Sequence, residues 1–125
     1  MMTGILLADD KCELRAALRL LLETRLGFRV IHEARDMEHV LALVEDAHPD
    51  CVILDWELPG RPTRERIPIL RTLQPGLKII AISARPDSGT DALAEGANAF
   101  ISKSDPPDRM LEIIQPLIPV KTDDA

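Results

Sequence analysis

Residues 5–14 read ILLADDKCEL. Four apolar side chains, Ile5 to Ala8, run directly into two neighbouring carboxylates, Asp9 and Asp10. An apolar run of strand length, without polar alternation, suits a strand covered on both faces. Two like charges where that strand should end are either solvated turn residues or part of a cation site. The remainder of the chain has to choose between them.

Similar runs recur at Phe28–Ile31, Cys51–Leu54, Leu77–Ile82 and Ala99–Ile101. Helical spacing fills the gaps. Leu14, Leu18, Leu21 and Leu22 fall on one helix face, with Gly27 as a stop signal. Met37, Val40, Leu41 and Val44 repeat the pattern behind Asp36 as N-cap, and Pro49 closes it. Near the end, Asp105 is placed as a cap, with Pro106 and Pro107 in the first turn, where a missing N–H is harmless. Pro68 interrupts the third helical stretch, which is therefore expected to begin late, near Pro68 itself. The fourth helix, within SGTDALAEG, reads as short, and Pro116 and Pro119 are expected to end or kink the last one. Strand and helix alternating five times predict right-handed crossovers and a parallel sheet with helices on both faces.

Composition narrows the function. The 125 residues form one domain and carry a net charge of −6 with only 2% aromatic residues. That argues against base-stacking and phosphate-backbone surfaces, and so against direct nucleic-acid binding. Cys12 and Cys51 show no metal-ligand spacing and no disulfide framework. His32, His39 and His48 lack zinc spacing and read as surface or boundary residues. No signal peptide or apolar stretch of membrane-spanning length appears, so a cytoplasmic protein without membrane contact is the expectation.

The strand ends now answer the opening question. The first run ends at Asp9 and Asp10, the third at Asp55, the fourth at Ser83, and the fifth at Ser102 and Lys103. In an open parallel sheet these carboxyl ends share one rim, where ligands bind. Carboxylates about 5 Å apart repel by roughly 3 kcal/mol at an effective dielectric near 20, which a hard divalent cation relieves. Mg²⁺ suits one or two carboxylates plus phosphate oxygens. A carboxylate beside it can act as a nucleophile toward phosphorus, with Lys103 and the Ser83 hydroxyl meeting the phosphoryl oxygens.

The segments LLADD, VILDWELPG, IIAISA and GANAFISK, in this order, resemble the four signature blocks of response-regulator receiver domains from two-component signalling. The likeness runs from residue 4 to about 115. It implies a flavodoxin-like, doubly wound, five-stranded parallel sheet of order 2-1-3-4-5 with five helices. Residues 1–119 would be the receiver and 120–125 a polar tail or linker stub. By the same resemblance Asp55 is the phosphoacceptor, loaded by a sensor histidine kinase or phosphotransfer protein. Asp9, Asp10, Asp55 and the main-chain carbonyl of Glu57 hold Mg²⁺. Ser83, Lys103 and the backbone amide of Ala84 grip the phosphoryl oxygens, and Phe100 shifts with Ser83 as a switch. Little enzymology is implied beyond slow self-phosphorylation from small donors and self-dephosphorylation. Thr63 stands where the family usually has glycine, and the Ser83–Lys103 spacing is about two positions short. Ser104 follows the lysine where many members have proline. The leucine-rich first helix and the Ser-Asp-Pro-Pro segment are most similar to receivers of helix-turn-helix transcription factors. A DNA-binding output domain outside this chain and homodimerisation are thus further family expectations. Glu57 and Arg85 border the site, either paired across its mouth or solvated. The alternative function is a pseudo-receiver, a protein-interaction module working without phosphate.

Overall fold

The computed structural model describes residues 4–118. The expected boundary at residue 119, the 120–125 tail and Pro119 lie outside them. Five strands, β1 (Gly4–Ala8), β2 (Val30–Ala34), β3 (Cys51–Asp55), β4 (Lys78–Ser83) and β5 (Ala99–Ser102), alternate with helices. The helices are α1 (Cys12–Leu26), α2 (Met37–Ala47), α3 (Thr63–Leu73), α4 (Ser88–Ala94) and α5 (Pro107–Ile114), followed by a 3₁₀ turn at Gln115–Leu117. The sheet is parallel throughout, in the order β2-β1-β3-β4-β5.

The apolar runs are unbroken because the inner strands are covered twice. Leu6, Ala8, Val52, Leu54, Ile79 and Ala81 pack with Met37, Val40, Val44, Ile67 and Leu70 of α2 and α3. The alternate residues Ile5, Leu7, Ile53, Ile80 and Ile82 pack with Leu18, Leu22, Met110 and Ile114 of α1 and α5. Each Val, Leu, Ile or Met among them, fully buried, contributes roughly 1.5–3 kcal/mol, so neither face is dispensable.

The helix ends follow local chemistry, with instructive departures. Gly27 adopts the left-handed conformation (φ 72°) and its N–H reaches the Leu22 carbonyl. The Asp36 carboxylate accepts from the His39 amide at 2.9 Å. The second strand starts two residues later than expected and runs through polar His32 and Glu33. As an edge strand it is covered less completely, so polar residues are tolerated there. Asp105 does not cap α5. Its carboxylate is taken by the Ser102 amide (3.0 Å), and Pro106 occupies the cap position instead.

The third helix also corrects the late start expected near Pro68. It begins at Thr63 and carries Pro68 within its second turn. Pro68 cannot donate to the Arg64 carbonyl, but both residues are exposed, so solvent takes that acceptor. Burial of Ile67 and Leu70 and the anchoring of Arg66, described below, hold the helix in register. The fourth helix is indeed short, with 7 residues.

Between β3 and α3, Gly60 has φ +126°, and a Cβ there would lie 2.7 Å from Cβ of Met37. Pro59 accepts from the Met37 amide at 3.0 Å, which seats this turn on α2. Gly60→Ala is expected to destabilise the protein by about 2–4 kcal/mol, through strain and forced displacement of Met37. Urea unfolding checks this: an unchanged midpoint would mean that the turn moves freely.

Candidate functional site

The carboxyl ends of β1, β3, β4 and β5 bring their polar residues to one rim. Asp9 extends β1 pairing by one bond, its amide donating to Ala34 (3.0 Å). Its Oδ1 accepts from the Lys11 amide (2.8 Å), closing a turn into α1. Arg15 donates to the Asp9 main-chain carbonyl at 2.6 Å and is itself held by Glu33 at 2.8 Å. That leaves Asp9 Oδ2 facing inward, 2.9 Å from the Lys103 ammonium. Asp9 is only 2% exposed.

Asp55 closes β3 and is 1% exposed. Its Oδ1 accepts from the Glu57 amide (3.1 Å), and its Oδ2 lies 3.5 Å from Lys103 Nζ. Lys103 thus bridges two buried carboxylates. Its own amide donates to the Ser83 carbonyl (2.8 Å), which ties the β5 end to that of β4. Asp10 is exposed, and oxygens of Asp9, Asp10 and Asp55 lie within 4.8 Å of one another.

Burial pushes the Asp55 carboxyl above its ordinary value, and Asp9 adds to that, against the bond from the Glu57 amide and the pull of Lys103. Burial pulls Lys103 down, but Asp9 and Asp55 outweigh it and hold the ammonium above its usual value. Three carboxylates against one ammonium leave a surplus of two negative charges, all of it on hard oxygen donors. This donor set fits a small divalent cation such as Mg²⁺ and does not fit a thiophilic metal.

Ser83 is fully buried but is not joined to Asp55 or Lys103 by its side chain. Its hydroxyl donates to Glu57 Oε2 (2.7 Å) and accepts from the Arg85 amide (2.9 Å). Of the two alternatives for Glu57 and Arg85, pairing across the mouth is not formed: the Arg85 guanidinium makes no ion pair with Glu57 among the described residues. The serine is nearer and takes the carboxylate. Ala84 follows Ser83 at the exposed end of β4. The half-buried Phe100 ring lies against α4, so that a Cβ on Gly89 would come within 2.9 Å of its Cδ2. Among the described residues no cluster of histidines or cysteines assembles, and no helix is long and apolar enough to cross a membrane. Cys12 is exposed and Cys51 buried, both as free thiols, and burial pushes Cys51 up to about 12.

Arg66 escaped the reading of the motifs. It is 5% exposed, and its guanidinium serves the main-chain carbonyls of Arg61 (2.9 Å), Trp56 (3.2 Å) and Leu58. A signal was present: Arg66, Leu70 and Leu73 are spaced i, i+4, i+7, so helical periodicity puts this arginine on the buried face.

Comparison with known proteins gives concordant results. The sequence profile of the family described as "Response regulator receiver domain" matches residues 5–115. The chain is 34% identical to the transcriptional activator protein ExaE of Pseudomonas putida, over 90% of this chain and 53% of that protein. It is 29% identical to the nitrate/nitrite response regulator protein NarL of Escherichia coli K12, over 88% of this chain and 52% of that protein. The chain therefore spans about half the length of these two relatives. A LuxR-family two-component response regulator from Aurantimonas superposes with a TM-score of 0.83 at 27% identity, covering 94% of this chain and 85% of that one.

Proposed function

This chain belongs to the response regulator receiver domain family of two-component systems, and from that premise we propose that Asp55 accepts a phosphoryl group in a Mg²⁺-dependent reaction. The supporting observation is the convergence of Asp9, Asp10 and Asp55 within 4.8 Å, with Lys103 bridging Asp9 and Asp55. The donor is the phosphohistidine of a sensor kinase or phosphotransfer protein. An Asp55 carboxylate oxygen forms the new bond to phosphorus as the phosphorus–nitrogen bond breaks, and the departing imidazole keeps the electron pair. No general base is needed, because an ionised carboxylate has no proton to lose. Asp9, Asp10, Asp55 and the Glu57 carbonyl would hold Mg²⁺, which supplies positive charge to the carboxylates and phosphoryl oxygens.

Lys103 then turns from the two carboxylates to a phosphoryl oxygen. Ser83 has to release Glu57 before its hydroxyl can donate to the same group, with the Ala84 amide beside it. Movement of Ser83 changes the space beside Phe100, and through the Phe100–Gly89 contact it reaches the α4 surface. A new group of about −1.5 to −2 charges is thereby converted into a change of shape. The output is a binding event on that surface: a DNA-binding domain beyond this chain, or a second copy of it.

Trp56 provides the test, because it adjoins Asp55 and is the only tryptophan. Millimolar Mg²⁺ is expected to change its emission, and beryllofluoride to change it further. At ten times the dissociation constant, Mg²⁺ should raise unfolding stability by about 1.4 kcal/mol. A folded protein whose fluorescence and stability respond to neither addition would instead be a phosphate-independent interaction module.

A further inference from the structure

Behind the acid rim lies a buried cation for which the phosphoryl chemistry supplies no role. Arg66 projects from the first turn of α3 into the β3–α3 loop. Among the described residues no carboxylate forms an ion pair with it, and its donors end on main-chain carbonyls. Nε donates to Arg61 (2.9 Å) and Nη2 to Leu58, while Nη1 lies 3.2 Å from the Trp56 oxygen and 3.5 Å from that of Asp55. A planar fork can hold several carbonyls in fixed directions, and a lysine cannot.

The carbonyls it takes define one turn. Asp55 to Leu58 is closed by the Leu58 amide on the Asp55 carbonyl (3.0 Å), and the Glu57 amide binds the Asp55 carboxylate (3.1 Å). Arg66 grips the turn at Asp55, Trp56 and Leu58 and leaves the Glu57 carbonyl alone. Burial pulls the Arg66 guanidinium down, whereas Asp55 and Glu57 oppose this through space. An unpaired charge is costly to bury, and a core-facing leucine would fill this helix position without that penalty.

We propose that Arg66 is a positioning residue, whose guanidinium holds the turn carrying the Asp55 carboxylate and the Glu57 carbonyl in the geometry that binds the cation. This rests on the Mg²⁺-dependent reading above. It also makes a prediction whose sign opposes simple electrostatics. Removing a positive charge near the rim should by Coulomb's law tighten Mg²⁺ binding. Loss of positioning should weaken it, typically 10–100-fold for groups that orient metal ligands.

The experiment is Mg²⁺ titration of Trp56 fluorescence in wild type, Arg66→Met and Arg66→Lys, with urea unfolding of each to establish that it is folded. Both variants are expected to bind Mg²⁺ at least tenfold more weakly than wild type. Arg66→Met binding as tightly or more tightly would overturn the proposal. Should Arg66→Met not fold, Arg66→Lys decides, since it keeps the charge and loses only the fork. An unchanged constant there sinks the positioning role while leaving the receiver chemistry intact. A wild type that ignores Mg²⁺ would remove the metal-dependent reading, and this inference with it.

Discussion

Asp55→Asn is expected to abolish acid-labile phosphate incorporation from a kinase or acetyl phosphate while making the metal-free protein more stable. The first effect follows from chemistry. The amide oxygen is a poor nucleophile toward phosphorus, and neither neighbouring aspartate is placed as Asp55 is. Asp9 is tied through Oδ1 to Lys11 and through Oδ2 to Lys103, and Asp10 stands out in solvent. Incorporation should fall to background, at least about 10³-fold below wild type. Label appearing at Asp9 or Asp10 would show that the acceptor is misassigned.

The second effect follows from linkage. Asp55 has its carboxyl above the ordinary value of 3.8, chiefly through burial. The folded state therefore binds a proton more tightly than the unfolded chain does, and stability falls as pH rises through the window from 3.8 to the raised value. Above that window the full penalty is present, so at pH 7 in EDTA the asparagine variant should be more stable by about 1 kcal/mol. Toward pH 3 the difference should vanish, because the wild-type carboxyl is then protonated in both states. Mg²⁺ should narrow the gap at pH 7 by stabilising the wild type more. A destabilised variant at pH 7 would mean that the bond from the Glu57 amide matters more than burial and the repulsion from Asp9 together.

What could be read from the chain, and what could not, divides along range. Unbroken apolar runs of strand length such as Cys51–Leu54 suit doubly covered strands. Their regular alternation with helical spacing predicts a parallel sheet with helices on both faces, whereas the order 2-1-3-4-5 was implied by the family resemblance. The convergence of Asp9, Asp10, Asp55 and Lys103 was legible because each lies at a strand end, and a parallel sheet puts those ends together. The departures lie where a residue had a second partner that spacing does not reveal. Asp105 looked like a cap because its type is right for one, yet the Ser102 amide claims it. Pro68 looked like a helix start because proline breaks interior hydrogen bonds, yet here the orphaned carbonyl faces water. Glu57 offered a carboxylate to either Arg85 or solvent, and only the fold shows that Ser83 is closer. Arg66 lies outside the four signature segments, and its only signal is a charge on the apolar face of a helix.

Lys103→Met separates the two uses of this lysine, because stability, metal affinity and phosphoryl uptake should move in different directions. The ammonium lies 2.9 Å from Asp9 and 3.5 Å from Asp55, and both carboxylates are almost fully buried. Without it, two like charges face each other unscreened. In EDTA at pH 7 the variant should be less stable by about 2 kcal/mol, below the range for a fully buried pair because the lysine is partly solvated. The sign with pH is the reverse of that for Asp55. A lysine raised in the folded state stabilises fully below its ordinary value, and that contribution is lost as pH rises through the folded value. The gap to wild type should therefore persist to about pH 10 and close only beyond it. Mg²⁺ should bind the variant about tenfold more tightly, since a competing cation has gone, and should recover most of the lost stability. Phosphate incorporation should nonetheless drop about 10²–10³-fold, because Mg²⁺ among the carboxylates does not replace the donor that stabilises the charge on the phosphoryl oxygens during transfer. Tighter metal binding with failed transfer is the signature of a lysine that serves the phosphoryl group. If incorporation survived in the metal-saturated variant, Lys103 would be a counter-ion and nothing more.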